Sequence, residues 1–165
     1  MTEFECSKNK EASASFKFYK LYLAHGMKYF QSKQRFVEIY LMLQKQRLQD
    51  QVIEMVEYDQ HTSVNEKLKK LYYLHTDVEG QYYLLLKAIF ETKNNYSNAY
   101  QTAVRYRTWL TNEIYSQLRQ LKTDASFTDA KLFLYLLEGT IFQLLGSNGA
   151  NEQEKVLEYF LVRFR

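Results

Sequence analysis

Side chains able to do acid–base, nucleophilic or metal chemistry are sparse in this chain and badly spaced for it. The histidines are His25, His61 and His75, far apart and without metal-ligand spacing, so each reads as a surface or loop residue. Cys6 is the single cysteine, which excludes an internal disulfide and a cysteine zinc site. Pairing Cys6 with one of the histidines as nucleophile and base has no motif behind it. Glu152 and Glu154 are two carboxylates in close sequence, but they follow Asn151, where acids at a helix start complement the macrodipole. There is no Gly-rich phosphate loop and no His-Glu-x-x-His helix. The reading is no enzyme, no metal and no cofactor.

What the chain has in quantity is rings. It carries 15 Tyr and 11 Phe among 165 residues. Tyrosine joins a large apolar body to a polar tip, which suits a core needing internal hydrogen bonds or the lining of a cavity. The candidate rings for lining such a cavity are Tyr72, Tyr73, Tyr82, Tyr83, Phe90, Tyr100, Tyr106 and Trp109, and ordinary core packing would equally account for most of them.

The elements that must position them are helices. Proline is absent and there are five glycines, too few turn residues for a sheet-rich fold. Apolar residues at three- and four-residue spacing, with caps, predict seven helices. They cover about 13–24, 33–58, 64–75, 78–93, 96–122, 129–145 and 151–164. Ser32 caps the second helix. Ser63 with Glu66 forms a capping box for the third. Asp77 caps the fourth, and Ser126 or Thr128 the sixth. The fold class is all-α.

Helix 129–145 is apolar nearly all round, and 151–164 is rich in Leu, Val and aromatic residues. Such helices must be covered on every side. Burial at the centre of the chain's own core would do this, or a second copy of the chain through a four-helix contact, with Leu134, Leu137, Ile141, Leu145, Leu157, Phe160 and Phe164 in the interface. No apolar run approaches the roughly 18 residues needed to span a bilayer. The N-terminal residues lack an apolar signal-peptide core, and a cytoplasmic location with no membrane partner is expected.

Charge is uneven. Residues 1–35 hold seven basic against three acidic residues, net +4, which leaves −1 of the overall +3 for the rest. A basic end on a near-neutral body suits contact with nucleic-acid phosphates. On charge alone, a plain solvated surface accounts for it equally well.

Met27-Lys-Tyr-Phe-Gln-Ser-Lys-Gln-Arg-Phe36 resembles the end of the DNA-binding head of TetR-family transcriptional regulators, with Tyr29, Phe30, Ser32, Lys33 and Phe36 matching. Thr128-Asp-Ala-Lys-Leu-Phe-Leu-Tyr-Leu-Leu-Glu-Gly139 resembles the penultimate helix of that family, with Gly139 permitting close helix approach. The resemblance implies a TetR-like bundle. Residues 1–33 would be a shortened or degenerate helix-turn-helix head, since Gly26 lies too close to Tyr29 for the family's spacing. Residues 34–165 would be the ligand-binding and dimerisation domain. It implies transcription regulation by a homodimer that binds a small-molecule effector and a DNA operator, the operator through Lys17, Lys20, Lys28, Tyr29, Lys33 and Arg35. A second reading is a helical interaction module, because Tyr83, Leu86, Phe90, Tyr96 and Ala99 fall at spacings resembling one tetratricopeptide repeat.

Overall fold

The computed structural model describes residues 32–59, 61–146 and 150–164. The expected helix over 13–24 lies outside the described residues. The chain divides into two compact units, Met1–Tyr40 and Leu41–Arg165. The described residues are all-helical, with no strand.

Six α-helices are described: α1 (Lys33–Ile53), α2 (Val64–Thr76), α3 (Gln81–Thr92), α4 (Ser97–Leu121), α5 (Phe127–Gly146) and α6 (Ala150–Val162). A single π-helical turn, Glu54–Tyr58, continues α1. Such turns occur mostly as one-turn insertions into α-helices. The Lys67 Nζ donates to the Val56 carbonyl at 2.7 Å, satisfying one oxygen of that turn.

In the first unit, the Ser32 hydroxyl accepts from the Arg35 amide at 3.2 Å, so it caps α1 as expected. Lys33 and Arg35 are exposed.

In the second unit, α2 packs against α3, α4 and α5, and α4 also packs against α3 and α5. The helix α6 lies on α5. The connections within α2–α5 are only a few residues long, which favours antiparallel neighbours. Ser63 caps α2 by accepting from the Glu66 amide at 3.3 Å. Ser126 caps α5, accepting from the Asp129 amide at 3.2 Å while donating to the Asp129 carboxylate at 2.7 Å.

Asp77 corrects the expectation made for it. It ends α2 rather than starting α3, and its carboxylate accepts from the Glu79 amide inside the connecting turn. Gly80 is the residue that opens α3. Its amide bonds the Asp77 carbonyl at 3.0 Å, and a Cβ there would also lie 3.0 Å from that oxygen. The tight return of the chain leaves little room for a side chain at Gly80. An Asx turn competes with an N-cap for the same side chain, and here the turn won.

The apolar stripes of these helices converge on one core. Leu68, Leu71, Leu85, Leu110, Ile114, Leu118, Phe133, Leu134, Leu137 and Ile141 are buried there. On α6, Leu157, Phe160 and Leu161 are buried as well, as is Phe164 just beyond it, and the Phe160 ring meets Phe133 edge-on at 5.3 Å. A Lys69–Glu158 ion pair at 2.9 Å links α2 to α6. No helix among the described residues is long and apolar enough to cross a membrane.

Candidate functional site: a cavity above a buried polar layer

Tyr72, Tyr82 and Tyr106 are inaccessible core residues, contrary to their expected place on a cavity wall. Each ring fills apolar space, and each hydroxyl finds a partner. Tyr72 shares a hydrogen bond with Thr140 at 2.7 Å. Tyr82 donates to Glu138 Oε1 at 2.9 Å. Tyr106 bonds Nε2 of His75 at 2.7 Å.

His75 is the second correction. It sits inside the bundle, not on the surface or in a loop. Its Nδ1 bonds the Leu71 carbonyl at 2.6 Å. A carbonyl only accepts, so Nδ1 carries the proton and Nε2 accepts from Tyr106. Burial holds the imidazole down at a pKa of about 4, partly opposed by the Leu71 bond. Burial also pushes the Tyr106 and Tyr72 hydroxyls up, and burial together with the Glu138 charge does so for Tyr82. These groups are locked in their neutral forms at physiological pH. They join the helices without opening to solvent.

Glu138 on α5 joins this layer to the surface. Its carboxylate takes both arms of Arg107 on α4, with Nε to Oε1 at 2.6 Å and Nη2 to Oε2 at 2.9 Å. This bidentate geometry is the strongest form of the pair. The bond to Glu138 raises the Arg107 pKa further. The guanidinium also lies 5.8 Å from the Tyr135 ring centre.

Beside this pair opens a cavity of about 280 Å³ between α3, α4 and α5. Leu86, Ile89, Phe90, Tyr100 and Val104 form its apolar wall, and Arg107, Thr108 and Glu138 its polar part. Of the eight rings proposed to line a cavity, Phe90 and Tyr100 do so here. Phe90 is 68% exposed and meets Phe142 edge-on at 6.3 Å. Tyr73 is exposed, Tyr83 is half-buried, and Trp109 leans on Tyr106 at 5.4 Å.

No protein-family model, curated protein or solved structure matches this chain. The assignment of a site therefore rests on the geometry alone.

The residues proposed for the dimer contact separate into two groups. Leu134, Leu137, Ile141, Leu157, Phe160 and Phe164 are buried inside the single chain, while Leu145 is half exposed. A different apolar face points outward. On α5 it comprises Leu132, Tyr135, Phe142 and Leu145, and on α6 Val156, Tyr159 and Val162. Gly139 lies on the same side of α5, with open space where its Cβ would be. Among the proposed phosphate contacts, Lys17, Lys20, Lys28 and Tyr29 lie outside the described residues. Among the described residues, no group of His, Cys, Asp and Glu side chains could hold a metal.

Sequence reasoning missed Arg107, Glu138 and His75 as members of one site. Glu138 did leave a signal: it is the lone acid in an otherwise apolar stretch of α5, where a carboxylate needs a buried partner.

Proposed function

We propose that the chain is the effector-binding and dimerisation part of a TetR-like transcriptional regulator, with the cavity between α3, α4 and α5 as its effector site. The observation that carries this reading is the cavity itself. Its wall is apolar and its polar part is a fixed ion pair, the usual composition of a small-molecule site. The dimer face would be the outward side of α5 and α6. The same helix, α5, supplies Glu138 to the cavity and Tyr135 and Phe142 to that face. A ligand that shifts α5 would then shift the relation between two copies, which is the coupling a regulator requires. Lys33 and Arg35 would contribute to phosphate contacts on an operator.

The interaction-module reading is less well supported. Phe90 would have to fill the packed position of a repeat, and it is instead largely in water.

A thermal-shift screen of small aromatic and amphipathic molecules tests the proposal. A ligand that binds only the folded state raises the melting temperature. The effector reading requires at least one such molecule, and its effect must shrink in Phe90→Ala and Tyr100→Ala. Stabilisation that survives both substitutions would place the ligand elsewhere and remove the cavity from the account.

A further inference from the structure

The effector reading leaves the chemistry of the ligand open, and the floor of the cavity narrows it. Arg107 spends Nε and one Nη2 hydrogen on Glu138, and among the described residues its other N–H groups have no acceptor. Glu138, by contrast, has three of its roughly four acceptor positions filled. Its Oε1 receives both Tyr82 and Arg107, its Oε2 receives Arg107, and its side chain is 13% exposed. The polar floor therefore offers donors, and the Arg107 side chain, 35% exposed, still reaches solvent. A ligand must bring an acceptor.

It must bring that acceptor without a charge. The guanidinium is already neutralised by a bidentate carboxylate, so an added anion would enter a half-buried site next to Glu138 with no cation of its own. An ammonium ligand would face the Arg107 guanidinium, with only the remaining lone pair of Oε2, on a carboxylate 13% exposed, to receive it. Apart from Thr108, whose hydroxyl donates to the Val104 carbonyl at 3.1 Å, the rest of the wall is apolar, and Phe90, in edge-to-face contact with the exposed Phe142, offers a ring that a planar ligand can extend. The volume of about 280 Å³ holds on the order of ten non-hydrogen atoms, taking about 30 Å³ for each water-sized group.

We infer that the cavity binds a small neutral aromatic molecule bearing a carbonyl or amide oxygen, which accepts from the free N–H groups of Arg107 while its ring lies against Phe90 and Tyr100. This rests on the effector reading of the same cavity.

Three probes of nearly equal size decide it: 2-phenylacetamide, phenylacetate and 2-phenylethylammonium. Each is titrated into the whole chain in the millimolar range and followed by ligand-observed nuclear magnetic resonance. The amide is expected to bind at least about tenfold more tightly than either charged analogue, the usual scale when a site must bury an unmatched charge. Phe90→Ala should weaken amide binding about tenfold with an unchanged circular dichroism spectrum, because Phe90 is mostly exposed. Arg107→Lys keeps the charge but not the fork, and should reduce the preference for the amide. Phenylacetate binding as tightly as the amide overturns the neutral-ligand inference and leaves the cavity in place as an effector site. Amide binding that is unchanged in Phe90→Ala overturns both. Failure of all three probes overturns the inference, while the thermal-shift screen still judges the cavity by itself.

Discussion

His75 Nε2 lies 2.7 Å from the Tyr106 hydroxyl, in a part of the core that neither ring leaves. Tyr106 donates in this bond only while the imidazole is neutral, and a charged imidazole would sit in the core without a counter-ion. Burial lowers the folded-state pKa to about 4, against an ordinary value of 6.5. The unfolded chain therefore takes up the proton first as pH falls. Stability from this group is complete above the ordinary value and is lost progressively between 6.5 and about 4.

Urea unfolding at a series of pH values should show a loss of about 2 kcal/mol between neutral pH and pH near 5. Asp59 and Asp129, whose folded pKa values are also lowered, add losses only at more acid pH, below their ordinary value of 3.8. Glu113, raised by burial, acts in the opposite sense. His75→Gln should be less stable at neutral pH but should lack the loss above pH 5. A wild-type profile flat over that window would refute the buried neutral imidazole.

Glu138 supports two donors at once, and its removal strands both. Glu138→Ala would leave the Tyr82 hydroxyl buried without an acceptor and Arg107 without its counter-ion. Breaking a buried pair costs about 3–5 kcal/mol. Arg107 is partly in water, so about 2 kcal/mol is expected here. The change in urea midpoint measures it. Glu138→Gln, which keeps one carbonyl acceptor for Tyr82, should recover part of the loss. Equal losses for the two variants would mean that Tyr82 draws nothing from this residue.

Operator binding, if the regulator proposal holds, depends on phosphate contacts that include Lys33 and Arg35. Its affinity should fall steeply with added salt, with a logarithmic slope of about −0.9 per contact. The double variant Lys33→Ala, Arg35→Ala should flatten that slope by about 2. Mobility-shift titrations over the DNA upstream of the gene supply the measurement. Absence of any shift at low salt would leave a ligand-binding dimer without operator activity.

Local signals were legible wherever one residue decides the outcome. Ser32, Ser63 and Ser126 each sit where a hydroxyl can take an orphan amide, and all three cap their helices. The limits of α2, α4 and α5 follow the apolar periodicity to within about two residues. Asp77 misled because Asp serves turns and caps equally well, and only the three-dimensional turn at Gly80 decides between them. His75 and the tyrosines misled for a different reason. Periodicity says which residues share a face, not whether that face ends in water, in a cavity or against another helix. The Arg107–Glu138 pair joins residues 31 positions apart, and only the packing of α5 on α4 brings them together.

The same limit separates two faces of α5, and a paired substitution exposes the difference. Leu137 is fully buried within the single chain, whereas Phe142 is 56% exposed. Leu137→Asp places an unpartnered charge in the core and should unfold the protein, with a cost above about 4 kcal/mol. Phe142→Asp changes a group already half in water and should leave the melting temperature of the monomer nearly unchanged. If two copies meet through the outward side of α5 and α6, however, Phe142→Asp would put like charges into the contact and shift the protein from dimer to monomer. Tyr159→Asp, at a side chain 78% exposed on α6, should do the same. Light scattering across a dilution series reads the mass, and circular dichroism reads the fold. A folded Phe142→Asp, Tyr159→Asp double variant that keeps dimer mass would remove this face from the interface. A wild type that is monomeric at micromolar concentration would remove the dimer, and with it the route by which α5 couples the cavity to a second copy.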